Sequence, residues 1–137
     1  MTSGYSGTPL PQKLGIKPAS RLLLLGAPED FDETFGALPE GVTVRTAARG
    51  TADVVLLFTK QRALLEARID ALGAAIFPDG AIWVAWPKKT SKVPTDMTED
   101  VVREVCLSRG LVDNKVCAID DTWSGLRVVH RVERRKR

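Results

Sequence analysis

The chain has 137 residues, the length of one ordinary domain, with 44% hydrophobic and 27% charged residues. That balance builds an apolar core without disulfide staples. No apolar run reaches the roughly 18 residues that cross a bilayer and no signal peptide opens the sequence, so a cytoplasmic protein with no membrane association is expected.

The net charge of +3 is unevenly spread: residues 131–137 (RVERRKR) hold five basic residues and one acid, and the other 15 basic and 16 acidic residues leave −1. The basic end is expected to be a solvated terminus. Nucleic acid held through that tail by counterion release is a further alternative, though not the expected partner. Cys106 and Cys117 form no CxxC and have no histidine nearby in sequence. They read as small buried hydrophobes, and neither a metal site nor a redox pair is expected.

Residues 1–20 are rich in Gly, Ser, Thr and Pro and read as an N-terminal strap. One helical turn is expected around Leu10, Leu14 and Ile16, ended by Pro18. Tyr5 and Leu10 are expected to tie the strap to the body, with a lid over the strand ends as the sharper alternative. The domain proper spans 21–132, and 133–137 is the basic tail.

Leu22–Leu25 is a continuous apolar run, the pattern of a strand buried on both faces. Asp30–Leu38 predicts a short helix with Phe31 and Phe35 one turn apart. Val42–Thr46 alternates and is β-branched, so it predicts a second strand, and Asp53–Phe58 a third. In 61–76, Leu64, Leu65, Ile69, Leu72 and Ile76 mark the inner face of a helix that ends at Pro78–Gly80. Ala81–Trp86 predicts a fourth strand, stopped by Pro87, and 87–95 a polar loop. Thr95 or Thr98 caps the next helix, with Glu99 and Asp100 in its first turn. Its inner side is Val101, Val102, Val105, Cys106 and Leu107, and Gly110 ends it. Residues 111–120 and 126–132 predict two strands joined by the DTWSG turn, close enough to pair only antiparallel.

Strand–helix alternation implies an α/β, Rossmann-like fold: a mostly parallel six-stranded sheet, helices on both faces, and a C-terminal antiparallel hairpin. The first strand runs into Gly26, where nucleotide-binding proteins of this class place a glycine-rich phosphate loop. Here one glycine is followed by Ala27 and Pro28, and proline removes an N–H donor. Glu29, Asp30, Asp32 and Glu33 put negative charge where a phosphate would sit. After the second strand, an acid normally holds ribose hydroxyls; Arg45 and Arg49 stand there instead. No cofactor is therefore expected.

Four strand–helix units closed by a long hairpin resemble the S-adenosylmethionine-dependent methyltransferase fold over residues 20–132. PDGAIWVAWP (78–87) is similar to one strand of that fold with its turn, and VCAIDDTWSGLRVVHRV (116–132) to its terminal hairpin. The chain is one strand–helix unit short, because only ARGTA separates VTVRT from DVVLLF. YSGTPLPQKLGIKP, WPKK, the GL after the last helix and TWSGLR also resemble a small bacterial family with a domain of unknown function. That resemblance implies a Rossmann-like fold and no activity.

Ligands of open parallel sheets bind beyond the carboxyl ends of the strands. Gly26–Pro28, Thr46–Arg49, Thr59–Lys60 and Trp86–Lys89 are expected to converge there. Arg49, Lys60, Lys88 and Lys89 beside Trp86, with Lys92 nearby, form a candidate anion-binding edge; the plainer reading is a solvated polar loop edge. The residues of DDTWSG are explained by turn chemistry, with Trp123 covering a sheet edge. His130 lies in the last strand, away from that edge, which leaves no serine-nucleophile machinery. No catalytic residue and no metal ligand is assigned. The functional expectation is a non-catalytic Rossmann-like module that binds a protein partner or an anionic small molecule; a divergent S-adenosylmethionine-dependent methyltransferase is the second reading.

Overall fold

The computed structural model describes residues 8–135. Tyr5, and the strap expectation that rests on it, lie outside them. Six strands form one sheet: β1 (Arg21–Leu25), β2 (Thr43–Arg45), β3 (Val54–Phe58), β4 (Ala81–Pro87), β5 (Leu111–Ala118) and β6 (Trp123–His130). Their spatial order is β2-β1-β3-β4-β6-β5. The pairs β2–β1, β1–β3 and β3–β4 are parallel, whereas β4–β6 and β6–β5 are antiparallel. The sheet is thus mixed: three pairings are parallel, and because β6 lies between β4 and β5 the expected hairpin contributes two antiparallel pairings rather than one.

The helices are α1 (Leu10–Lys13), α2 (Phe31–Phe35), α3 (Arg62–Ile76), α4 (Glu99–Leu107) and α5 (Val132–Arg135). Successive side chains of a strand point to opposite faces, and this alternation sorts the core into two layers. Leu23, Leu25, Val55, Leu57, Ile82, Val84 and Trp86 face α3 and α4. Leu22, Val54, Leu56, Phe58, Trp83 and Ala85 face the α1 segment and α2. Every residue of β3 and β4 is buried, as two-sided coverage requires.

On the first face, α3 presents Leu65, Ile69, Leu72 and Ile76, each at most 1% exposed. Burial of one such side chain is worth about 1.5–3 kcal/mol. Two helix residues depart from expectation, since Leu64 and Leu107 are exposed. Each lies on the outward face of its helix, since the adjacent Leu65 and Cys106 are buried. The α4 cap is Thr98, whose hydroxyl accepts from the Val101 amide at 3.1 Å. Cys106 is buried, while Cys117 on edge strand β5 is only half-buried.

On the second face, Phe31 and Phe35 pack at 4.8 Å between ring centres, and Phe31 meets Phe58 edge-on at 4.9 Å. Trp83 is fully buried beneath the α1 segment and donates from Nε1 to the Leu14 carbonyl at 2.9 Å. Leu10, Leu14 and Ile16 close over it. The basic end begins as a helical turn, α5, rather than as irregular chain.

Arginines tie the elements together at the surface. Arg103 pairs with Glu99 on its own helix and with Asp113 of β5 at 3.0 Å. Arg62 joins Glu66 at 3.0 Å to Glu104 of α4 at 2.9 Å. At the start of the sheet, Asp53 accepts from the Arg21 amide at 2.8 Å and from its guanidinium at 3.0 Å. The guanidinium hydrogen bond is the main reason the Asp53 carboxyl titrates below its ordinary range. A carboxyl lowered by folding stabilises the fold above its unfolded pKa, and the effect is lost as pH falls through the folded value.

Replacing Trp83→Phe removes the indole donor and leaves the buried Leu14 carbonyl without it; urea denaturation should show a loss of about 1–3 kcal/mol. Asp53→Asn should lower stability at pH 7 and flatten the fall in stability below about pH 4, measured as the urea midpoint across an acid pH series.

Candidate functional site

β1 moves outward to β2 on one side, and the chain then returns across β1 to place β3 on its other side. The crevice at the carboxyl ends of β1 and β3 is therefore the topological switch point of the sheet. Gly26 sits there at φ +71°, and a Cβ on it would lie 2.7 Å from the Phe58 carbonyl oxygen. The single glycine of the loop is thus required by the approach of one strand end to another. The loop continues through Ala27 and Pro28 into the five residues of α2, with Glu29, Asp30, Asp32 and Glu33 exposed.

A cavity of about 370 Å³ opens at this point, lined by Gly26, Pro28, Phe58, Thr59, Lys60, Gln61, Leu64 and Trp123. Its walls are mostly apolar. Phe58 and Trp123 meet edge-to-face at 5.0 Å, and the exposed Leu64 faces it from the first turn of α3. Thr59 is occupied locally, its hydroxyl accepting from the Gln61 amide at 3.0 Å. Trp123 arrives from the hairpin: Asp120 accepts from the amides of Thr122 and Trp123 at 2.8 Å each, forming the tight turn, and β6 sets Trp123 opposite Pro87.

A larger cavity of about 820 Å³ lies at the end of β4. Its apolar floor includes Trp86 and Met97, both buried in the core. Its lining also carries Lys88, Lys89 and Lys92, together with Glu99 and Asp100. Local hydrogen bonds shape the lysine-bearing loop. Lys88 donates its amide to the Thr122 carbonyl at 2.7 Å, and Ser91 donates its hydroxyl to the Lys88 carbonyl at 2.6 Å. Lys92 is in the left-handed region at φ 62°. The two cavities adjoin through Lys60, whose carbonyl accepts from the Thr95 hydroxyl at 2.6 Å and the Asp96 amide at 3.3 Å.

Lys60, Trp86, Lys88 and Lys89 are therefore gathered at the strand-end edge. Arg49 is not. It lines a separate cleft of about 360 Å³ with Gly50, Thr51, Ala71 and Ala75, beside the last turns of α3. The cause is Arg45, whose guanidinium donates to the carbonyls of Arg49 and Thr51 and folds the β2–β3 connection back on itself. Leu64, Gln61 and Met97 were not among the expected site residues. An apolar residue in the first turn of a helix that follows a parallel strand is the signal for Leu64; for Met97, alone in a polar run, the signal was too weak.

The remaining reactive groups lie elsewhere. His130 ends β6 at the opposite end of the sheet, 7% exposed, with Nε2 at 2.7 Å from the Gly73 carbonyl. A carbonyl only accepts, so Nε2 carries the proton there. Burial pushes the Cys106 thiol up to about 12 and raises that of Cys117 as well, so neither is a ready thiolate at neutral pH. No group of His, Cys, Asp and Glu among the described residues is placed to hold a metal ion. No helix among them is long and apolar enough to cross a membrane.

No protein-family model matches the chain, and no curated protein matches its sequence. Solved structures do match its fold. A ribosomal protein L11 methylase from Lactobacillus delbrueckii subsp. bulgaricus superposes with a TM-score of 0.59 at 10% identity, covering 89% of this chain and 75% of that one. The magnesium protoporphyrin IX methyltransferase of Synechocystis PCC 6803 with bound SAM gives 0.56 at 10% identity, over 89% and 74%. A SAM-dependent methyltransferase from Aquifex aeolicus gives 0.55 at 12% identity, over 85% of each chain. The fold is thus that of methyltransferase-like Rossmann proteins, while no sequence match supports the small bacterial family. Three methyltransferases among these neighbours count against the expectation of a non-catalytic module, and at 10–12% identity they show a shared fold.

Gly26→Ala should cost more than about 2 kcal/mol in denaturant unfolding, because it combines left-handed strain with a clash against fixed backbone.

Proposed function

We propose that this chain is a divergent S-adenosylmethionine-dependent methyltransferase whose cofactor pocket is the cavity between Gly26 and Trp123. The observation that carries the reading is the position of that cavity at the switch point between β1 and β3, in a fold shared with methyltransferases.

The residues there fit the two ends of such a molecule unequally. Phe58, Leu64, Pro28 and Trp123 offer apolar surface for a planar base. Lys60 stands at the same cavity without a carboxylate in ion-pair range among the described residues, and it suits a carboxylate. For ribose hydroxyls the usual acid after β2 is replaced by Arg45, which is already bonded to backbone. Bound there, the cofactor supplies an electrophilic methyl group on sulfur. The chain's own part is to seat the base against Trp123, anchor the carboxylate at Lys60, and present the acceptor from the adjoining cavity at the end of β4. His130 is at the other end of the sheet and takes no part.

Isothermal calorimetry with S-adenosylmethionine and S-adenosylhomocysteine tests the reading. Binding is expected with a Kd of roughly 10–100 μM, weaker than a full glycine loop with a ribose acid would give. Lys60→Ala should weaken it about tenfold. Absence of binding by both compounds at millimolar concentration overturns the proposal.

A further inference from the structure

The cavity at the end of β4 has a charge imbalance that packing does not explain. Among the described residues, Arg21, Arg62, Arg103 and Arg109 make ion pairs. Lys88, Lys89 and Lys92 in its lining make none. Of the two acids in the lining, Glu99 pairs with Arg103 and Asp100 lies 3.5 Å from the same guanidinium, which Asp113 also shares. Three lysines against these two partly neutralised acids leave the lining with a net positive charge. Its floor is apolar, built from Trp86, Met97 and Pro94, and Ser124 stands opposite Trp86 on β6. A volume of about 820 Å³ falls within the range of small-molecule sites.

The backbone that carries the lysines is fixed, while the side chains of Lys89 and Lys92 are exposed. The loop that carries them is pinned to the hairpin by the Lys88 amide and closed by Ser91. Lys92 adopts a left-handed backbone in spite of its side chain. Strain of this kind persists where the surroundings impose it, and it gathers at ligand sites.

We infer that this cavity binds a small molecule with an apolar body and an anionic group, a carboxylate or a phosphate, held by Lys88, Lys89 and Lys92 over Trp86. Resting on the methyltransferase reading, that molecule is the methyl acceptor, because the cavity adjoins the Gly26–Trp123 pocket through Lys60.

The test is amide NMR titration of the full chain with phenyl phosphate and, separately, benzoate, with phenol as the neutral control. The expected result is shifts confined to residues 86–98 and 124, a Kd below about 1 mM at low salt for at least one anion, and weakening as salt rises. The stronger of the two identifies the anionic group. The Lys88→Ala/Lys89→Ala/Lys92→Ala variant should keep its fold and its S-adenosylmethionine affinity while losing at least tenfold in anion affinity. Equal binding of phenol, unchanged anion binding in the triple variant, or no shifts overturns the inference. Stronger displacement of the same amides by a short RNA overturns the small-molecule choice. If the anions bind and S-adenosylmethionine does not, the anion site stands and its role as acceptor seat falls. If S-adenosylmethionine binds and the anions do not, the inference alone fails.

Discussion

The two-sided burial of β3 and β4 is the constraint on which the molecule depends. Each residue of these strands points into one apolar layer or the other, with no polar face to spare. Alternation then obliges helices to cover both sides, and a parallel β3–β4 pair obliges α3 to cross between them. The crossover sets α3 on one face and leaves the other to α1, α2 and the hairpin. Position at the strand ends follows: whatever leaves β1, β3 or β4 at its carboxyl end emerges on the same edge. Gly26, Thr59–Gln61 and Lys88 are neighbours there for this reason alone.

That edge carries two chemically different hollows with one shared wall. The hollow at Gly26 is apolar and aromatic, with a single cation at Lys60; the one at Trp86 is wider and its lining carries a net positive charge. Their shared element is the short stretch from Thr59 to Gln61, whose carbonyls and hydroxyl are committed to local and loop hydrogen bonds. Fixing backbone at the junction of the two hollows gives each a defined distance from the other.

Much of this architecture was legible in the chain. Continuous apolar runs marked the buried strands, Phe31 and Phe35 marked a helical turn, and the pair Thr95 and Thr98 marked a cap that the structure gives to Thr98, because each depends on neighbours within a few residues. The position of β6 between β4 and β5 was less accessible, since antiparallel insertion is decided by the sheet edge and not by the hairpin itself. Arg49 was misplaced for a similar reason. Its location depends on where Arg45 spends its guanidinium, a side-chain choice with no periodic trace. Functional inference from absent motifs failed differently: the loop after β1 does lack the glycines and amides of a nucleotide cradle, yet the fold still builds a hollow at that position from Phe58, Leu64 and Trp123.

The connection between β2 and β3 contains no helix; two arginines, Arg21 and Arg45, stitch it to the sheet margin instead. It is the one parallel crossover of the sheet made by bare loop. The exposed part of this segment, 46–50, is a natural graft point, whereas Ala52 is buried in the core. An added helix or a foreign loop inserted at 46–50 would extend the β2 margin without touching the hydrophobic layers, so the scaffold can grow on that flank while its two hollows keep their spacing.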